Sequence, residues 1–281
     1  MRGRWTGYWL ILPAALWLGV FFVIPFYSLL ATSLYDPEGS VLTGYDVTYH
    51  VANFVDAIEE FWRPLLRSLW YAGVATVICL VLGYVLAYAI AFKAGRWRTL
   101  LLVLVVAPFF TSFLIRTLSW KLILADDGFI VDALQTVHLM GDDDRLLATP
   151  VAVIAGLVYN FLPFMVLPLY ASLEKIDHRL IEASSDLYAS PSRGFWKVTL
   201  PLSMPGVVGG TLLTFIPAAG DYINAELLGS PNQRMVGNVI QELFTSTGDY
   251  AAAGALSVIL MVIIVALVMV YIRKAGTEEL V

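Results

Sequence analysis

Long apolar stretches alternate with short polar ones along this chain, and their lengths set the first expectation. Trp9 to Ala31 is an apolar run of 23 residues, long enough to cross a hydrocarbon core about 30 Å thick. A secretory leader is the rival reading, but its apolar region reaches only about 7–15 residues. The run is therefore read as an uncleaved first span, with Trp5, Tyr8 and Trp9 at one interface and Tyr27 and Tyr35 near the other. Further spans are expected at about 66–92, 99–122, 148–173, 206–228 and 251–272. The third contains Pro108, Thr111, Ser112 and Arg116, which predict an irregular helix. Pro163 and Pro168 mark a kink in the fourth. The expectation is an all-α membrane protein, one transmembrane domain over residues 1–281 with six spans and both termini on one side.

Composition and charge sharpen this picture. Apolar residues make up 59% of the chain, only 14% are charged, and the mean hydropathy is +0.78, which excludes an ordinary soluble domain. A lone cysteine, Cys79, rules out an intramolecular disulfide, and the scattered His50, His138 and His178 have no metal-ligand spacing. On the side of the termini lie Arg2, Arg4, Lys93, Arg96, Arg98, Lys175, Arg179, Arg193, Lys197, Arg273 and Lys274, eleven of the 17 basic residues. The positive-inside rule then puts both termini in the cytoplasm. The outer loops and outer helix ends hold 14 of the 22 acids against six bases, a formal −8. Such a surface concentrates cations, although a run like Asp142-Asp143-Asp144 also reads simply as a solvated turn.

The longest polar passage on the cytoplasmic side, Glu174 to Pro205, carries a pattern of its own. Read as helix, Ile176, Leu180, Ala183 and Leu187 fall on one stripe, with the charges mostly off it. After Pro191 a second short piece carries Phe195, Trp196 and Val198 before Pro201 stops it. The passage reads either as a compact two-helix knob or as an amphipathic loop on the lipid surface. Glu182-Ala183-Ser184, three residues, Tyr188, nine residues, then Val198-Thr199-Leu200-Pro201 resembles the EAA motif of membrane permeases in bacterial ABC importers. Two positions depart from the family pattern: Ser184 replaces the second Ala, and Tyr188 replaces a Gly. A Gly there suggests a turn with φ > 0, which a bulky residue adopts only at a cost.

The fifth span holds the other group of candidates. It contains Pro217 and Gly220, followed by Asp221, Tyr222 and Glu226. Counted from Gly206, Asp221 lies about 22 Å along a helix, in the outer half of the span. An ionisable group at that depth is a functional candidate because leaving it in lipid is costly. Asp221 and Asn224 share one face, Tyr222 and Glu226 another, and Pro217 with Gly220 predicts a bend or unwound turn beside them. The alternative is a buried structural pair, with Asp221 or Glu226 neutralised by Arg116 or Lys121.

The run FIPAAGDYINAELLGS is similar to a segment of the spermidine/putrescine importer permeases, as are PAALWLGVFFVIPFYSLLATSLYD and APFFTSFLIRTLSW. The resemblance implies the type I importer (MetI-like) permease fold in the bacterial inner membrane and ATP-driven import of polyamines. It also implies a second permease subunit, a homodimeric ABC ATPase and an extracytoplasmic substrate-binding protein. Glu182, Ala183, Tyr188, Ala189, Ser190, Leu200 and Pro201 would then couple to the ATPase. Asp221, Tyr222 and Glu226 would line the substrate path, with the aromatic rings of Trp120 and Phe110 as further candidates. The sequence contains no G-x-x-x-x-G-K-[ST] loop, so ATP and magnesium are expected on the partner ATPase, with no cofactor on this chain and no nucleic-acid partner. An ABC permease for another small organic solute stays open as an alternative. So does a solitary ion-coupled secondary transporter using Asp221 or Glu226, or a non-transporting membrane scaffold.

Overall fold

The computed structural model describes residues 3–39, 44–138, 141 and 144–275. Arg2, Asp142 and Asp143 lie outside the described residues, and nothing is stated of the side chains of Arg4, Trp5, Tyr8 and Trp9. Helices account for nearly all of the regular structure: α1 (Leu10–Thr32), α2 (Ala52–Phe92), α3 (Gly95–Phe110), α4 (Phe113–Ile123), α5 (Phe129–Thr136) and α6 (Pro150–Glu174). They continue with α7 (His178–Asp186), α8 (Pro191–Leu202), α9 (Met204–Ala219), α10 (Ile223–Leu228), α11 (Val236–Glu242) and α12 (Tyr250–Ala275). Among the described residues the only β-pairing is an isolated bridge between Tyr35 and Val47.

Among the described residues, four helices are long and apolar enough to cross a membrane alone: α1, α2, α6 and α12. Six spans result when α3 with α4, and α8 with α9, are each taken as one broken crossing, bent by 94° and 66°. The first break follows from sequence. Pro108 sits in a 3-10 turn, and Thr111 and Ser112 are extended before α4 begins. The helix expected from residue 66 starts earlier, at Ala52. Its backbone leaves helical geometry at Phe61, beside Pro64, whose missing N–H and ring disfavour the preceding turn.

By internal contacts the chain divides into two units, residues 1–62 with 239–263, and residues 63–238 with 264–281. In the first, no residue of α1 is buried and most are exposed, the surface of a helix meant for lipid or another chain. The loop after it is anchored by Asn53, which donates to the carbonyls of Ser33 (3.1 Å) and Tyr35 (2.9 Å). Tyr45 stacks on Tyr35, meets Tyr250 edge-on, and donates to the Gly248 carbonyl at 3.0 Å.

The second unit is built around α6, whose buried residues run from Ala152 to Leu173. Thr149 caps its start by accepting from the Ala152 amide, with Pro150 in the first turn. Two apolar clusters flank it, one around Leu157, Phe161, Leu228 and Met235, the other around Cys79, Met165, Leu169 and Val207. Cys79 is fully buried, its thiol directed at the Val158 carbonyl. Helix α9 crosses α6 at very short range. A Cβ on Gly206 would lie 2.7 Å from the Pro168 carbonyl oxygen, and one on Gly210 would lie 2.8 Å from the Met165 sulfur. This is the small-residue spacing by which membrane helices bring their backbones together.

The two glycines differ in what they face, so Gly206→Ala, which meets rigid backbone, is expected to lower the melting temperature of the purified protein further than Gly210→Ala, which meets a flexible methionine. Overpacking of this kind costs about 1–3 kcal/mol. Equal melting temperatures would show that α9 slides to accommodate either methyl group.

Candidate functional site

Between Glu174 and Pro205 the chain forms two short helices, α7 and α8, joined at Leu187–Ser190. The apolar stripe counted along the sequence is not a single buried face. Ile176 is buried, but Leu180, Ala183 and Leu187 are exposed. A turn at Lys175–Asp177 separates α6 from α7 and resets the helical register, so Ile181 and Ser184 face inward instead. Ile181 lies on the Cys79–Leu173 cluster. The Ser184 hydroxyl comes within 3.0 Å of where a Gly194 side chain would begin, which holds α7 against α8. Below them Phe195 packs edge-on against Tyr84 and Tyr88, and Tyr84 shares a 2.7 Å hydrogen bond with Ser203. Trp196, its neighbour, is exposed.

The turn itself explains the motif's glycine position. Tyr188 has φ +57, in the left-handed region, and the Ala189 amide donates to the Ser184 carbonyl at 3.1 Å. Such a bond spanning the left-handed residue is a Schellman helix end, where glycine is favoured. The Tyr188 ring is 96% exposed and Leu187 is 81% exposed, so an apolar tip projects from the knob. Glu182 and Ser190 are exposed beside it, Ala189 is half-buried, Leu200 packs on the core and Pro201 is exposed. At the knob's root, Arg98 bonds Tyr170 and Glu174, with its guanidinium 5.0 Å from the centre of the Tyr170 ring.

At the other end of α9 the helix stops at Ala219, and Gly220 to Tyr222 form an irregular turn before α10. Asp221, 8% exposed, faces inward. One of its oxygens accepts from both the Asn224 amide (2.8 Å) and the Asn224 side chain (3.2 Å), tying the start of α10. Asn224 in turn accepts from Asn160 on α6 at 3.1 Å, and Asn160 also donates to Thr117 on α4 at 3.2 Å. A buried polar line thus joins three elements, and Gly156 allows it, since a Cβ there would lie 2.6 Å from the Asn224 oxygen. Tyr222, 40% exposed, and Glu226 face outward. Asn238 donates to the Tyr222 carbonyl (2.8 Å) and to Glu226 (3.2 Å).

Asp221 with Asn224, and Tyr222 with Glu226, therefore sit on separate faces. The ion pair with Arg116 or Lys121 is not formed by either acid among the described residues. Arg116 instead lies over the rings of Phe109 and Phe113, at 5.5 and 5.6 Å. Trp120 packs against Tyr159, while Phe110 is exposed. Sequence reasoning missed Asn160 and Asn238. The former could have been flagged as an amide inside an otherwise apolar span, whereas the latter lies in a stretch read from sequence as a polar loop, where nothing distinguishes it, and which the structure folds into α11.

A bundle of apolar helices with two broken crossings and an exposed two-helix knob between them is the architecture of a membrane transport permease. The chain belongs to the family of binding-protein-dependent transport system inner membrane components, whose model matches residues 79–275. It is a multi-pass bacterial inner-membrane protein and a transport component. Among its relatives are the spermidine/putrescine transport system permease protein PotB of Haemophilus influenzae, 39% identical over 92% of this chain and 90% of that protein. PotB of Escherichia coli is 35% identical over 92% and 94%. The fold matches a crystal structure of a bacterial ABC transporter involved in the import of the acidic polysaccharide alginate, with TM-score 0.75 and 19% identity over 96% of this chain and 95% of that one. A second crystal structure shows the alginate transporter in complex with an alginate pentasaccharide-bound periplasmic protein, at the same TM-score and identity over 98% and 95%.

Left-handed backbone costs a side-chain-bearing residue about 1–2 kcal/mol relative to glycine. Tyr188→Gly is accordingly expected to slow amide hydrogen exchange across residues 178–190 in the purified protein. Faster exchange would mean that the tyrosine ring contributes more to the turn than its backbone strain costs.

Proposed function

We propose that this chain is one of two permease subunits of an ATP-driven polyamine importer and that it carries spermidine or putrescine. The observation that carries the cargo reading is the pairing of an exposed carboxylate, Glu226, with the exposed ring of Tyr222 at the break in a span. Carboxylates and aromatic faces are what an ammonium group needs once it leaves water. The relatives named for spermidine and putrescine, similar over nine-tenths of their own length, support the same cargo. The excess of acids in the loops assigned to the outer side would raise the local concentration of a polycation.

Coupling is assigned to the knob. Leu180, Ala183, Leu187 and Tyr188 leave an apolar ridge in solvent, the kind of surface that another protein covers. A homodimeric ATPase, holding ATP and magnesium itself, would seat this ridge in a cleft, with Glu182 pairing a basic group at the rim. Ala189 and Ser190 keep the tip small, and Leu200 with Pro201 fix where the chain re-enters the membrane. With both termini and the knob in the cytoplasm, closure of the ATPase pair would push on α7 and α8 and rock the helices between inward- and outward-facing states. An extracytoplasmic binding protein would deliver substrate to the opposite face, and the alginate transporter has itself been crystallised in complex with a substrate-bound periplasmic protein. Asp221 contributes by holding the turn that presents Tyr222 and Glu226, and it stands as the second carboxylate of the path.

Uptake of labelled spermidine, with membrane abundance measured in parallel, tests both parts. Glu182→Ala is expected to abolish uptake and release the ATPase, and Glu226→Gln to lower uptake at least tenfold with the complex intact. Asp221→Asn retains a capping oxygen and is expected to lower uptake less than Asp221→Ala. Uptake by the chain without any ATPase would sink the importer reading.

A further inference from the structure

We propose that Asn238 is a positioning residue for substrate selection: one buried amide nitrogen fixes Tyr222 and Glu226 to each other and so sets where an ammonium group is held. This inference rests on the polyamine reading of the Tyr222–Glu226 face.

The Asn238 side chain is 3% exposed and fully used. Its nitrogen donates to the Tyr222 carbonyl at 2.8 Å and to Glu226 Oε2 at 3.2 Å, while its oxygen accepts from the Met235 amide at 3.0 Å. The amide cannot rotate without losing all three, because the flipped orientation would set its oxygen against a carbonyl and a carboxylate. Its own backbone is held just as firmly. The Val236 amide donates to the Ser68 hydroxyl at 2.7 Å, Arg67 donates to the Arg234 carbonyl at 2.7 Å, and Gly237 sits so close to the turn that a Cβ would lie 2.7 Å from the Gly220 carbonyl oxygen. The segment 234–238 is thus clamped to α2 on one side and to the Gly220–Tyr222 turn on the other.

The consequence falls on Glu226. An exposed glutamate samples several rotamers, and fixing one of them costs side-chain entropy that weakens binding. Asn238 restrains one carboxylate oxygen before substrate arrives and leaves the carboxylate otherwise exposed beside the Tyr222 ring. Tyr222 and Glu226 are four residues apart and joined by the Glu226 amide's 2.9 Å bond to the Tyr222 carbonyl, so the same side chain holds the Glu226 carboxylate and the backbone from which the Tyr222 ring projects. Ring and carboxylate then present a defined spacing to successive ammonium groups, which distinguishes a triamine from a diamine more sharply than a loose pair could.

The test uses the assembled complex in proteoliposomes, with saturating loaded binding protein, and measures the maximal transport of labelled spermidine and putrescine per ATP hydrolysed. Asn238→Ala is expected to lower spermidine transport about tenfold and putrescine transport less. Asn238→Asp is expected to be at least as poor as Asn238→Ala, because it sets a carboxylate against Glu226. Better transport by Asn238→Asp than by Asn238→Ala would show that the two donated hydrogens are dispensable, and that order overturns the proposal. In a Glu226→Ala background, Asn238→Ala is expected to lower spermidine transport no more than twofold further, and a full additional tenfold loss overturns it too. Equal losses for both polyamines, or failure of both Asn238 variants to assemble, likewise assign Asn238 to the fold alone. Parent-level transport by Glu226→Ala instead removes the polyamine-path reading beneath it, whereas a strong Glu226→Ala defect with normal Asn238→Ala transport removes only the role of Asn238.

Discussion

The structure around α9 and α10 depends on one constraint: a helix interrupted in an apolar surrounding leaves backbone groups that no water is present to satisfy. At Gly220–Tyr222 the helical ladder stops, and the exposed ends are met from three directions. Asp221 accepts the Asn224 amide, Asn238 donates to the Tyr222 carbonyl, and Gly237 lets its segment approach the Gly220 carbonyl. Each of these residues is buried or held close by a neighbour, and each forces another choice. Asn224 requires Asn160 and the absence of a side chain at Gly156. Asn238 requires the 234–238 segment to be pinned to Ser68 and Arg67. The buried polar line is therefore the consequence of breaking a span at this depth, and Tyr222 and Glu226 face outward because the inward side is already occupied.

The same logic separates the two acids. From sequence Asp221 is one of two carboxylates on the substrate path, not ranked above Glu226. Its carboxylate is spent on the start of α10, and its exposure is that of a core residue. Glu226, one turn later, has the accessible carboxylate. A polyamine entering here would find Glu226 first, with Asp221 reachable only if the turn opens.

Hydropathy made the spans readable, and Pro108 and Pro217 marked spans that do break, whereas Pro163 and Pro168 lie inside α6, one helix from Pro150 to Glu174, and the distortion at Phe61 was not foreseen. The break beside Asp221 was legible because Pro217, Gly220 and two acids coincide there. The left-handed turn at Tyr188 was legible through spacing, because a glycine position survives as geometry even when the residue changes. The inward face of α7 was not. A helical stripe counted through Lys175–Asp177 assumes an unbroken helix, and three residues of turn shift the phase enough to turn Leu180 and Leu187 outward. Asn238 was invisible for a different reason: its partners are 12 and 16 residues away, a pairing created only when two short helices meet.

The displaced stripe and the glycine contacts together describe how a push at one end could reach the other. Helix α9 begins three residues after Pro201 and ends at the turn holding Asp221, about 22 Å away along its axis. Its near end lies against α6 at Gly206, where a Cβ would strike the Pro168 carbonyl, and its middle lies against Met165 at Gly210. Backbones this close cannot tilt independently, so α6 and α9 move as one body. Force applied to α7 and α8, which pack through Ile181, Phe195 and Leu200 on the cluster holding Met165, Leu173 and Val207, would then reach the Gly220 turn at the far end of α9. The soft points are the proline-marked break between α3 and α4 and the Gly220 turn itself. A push at the knob would be taken up most readily at these two interruptions, one of which carries the Tyr222–Glu226 face.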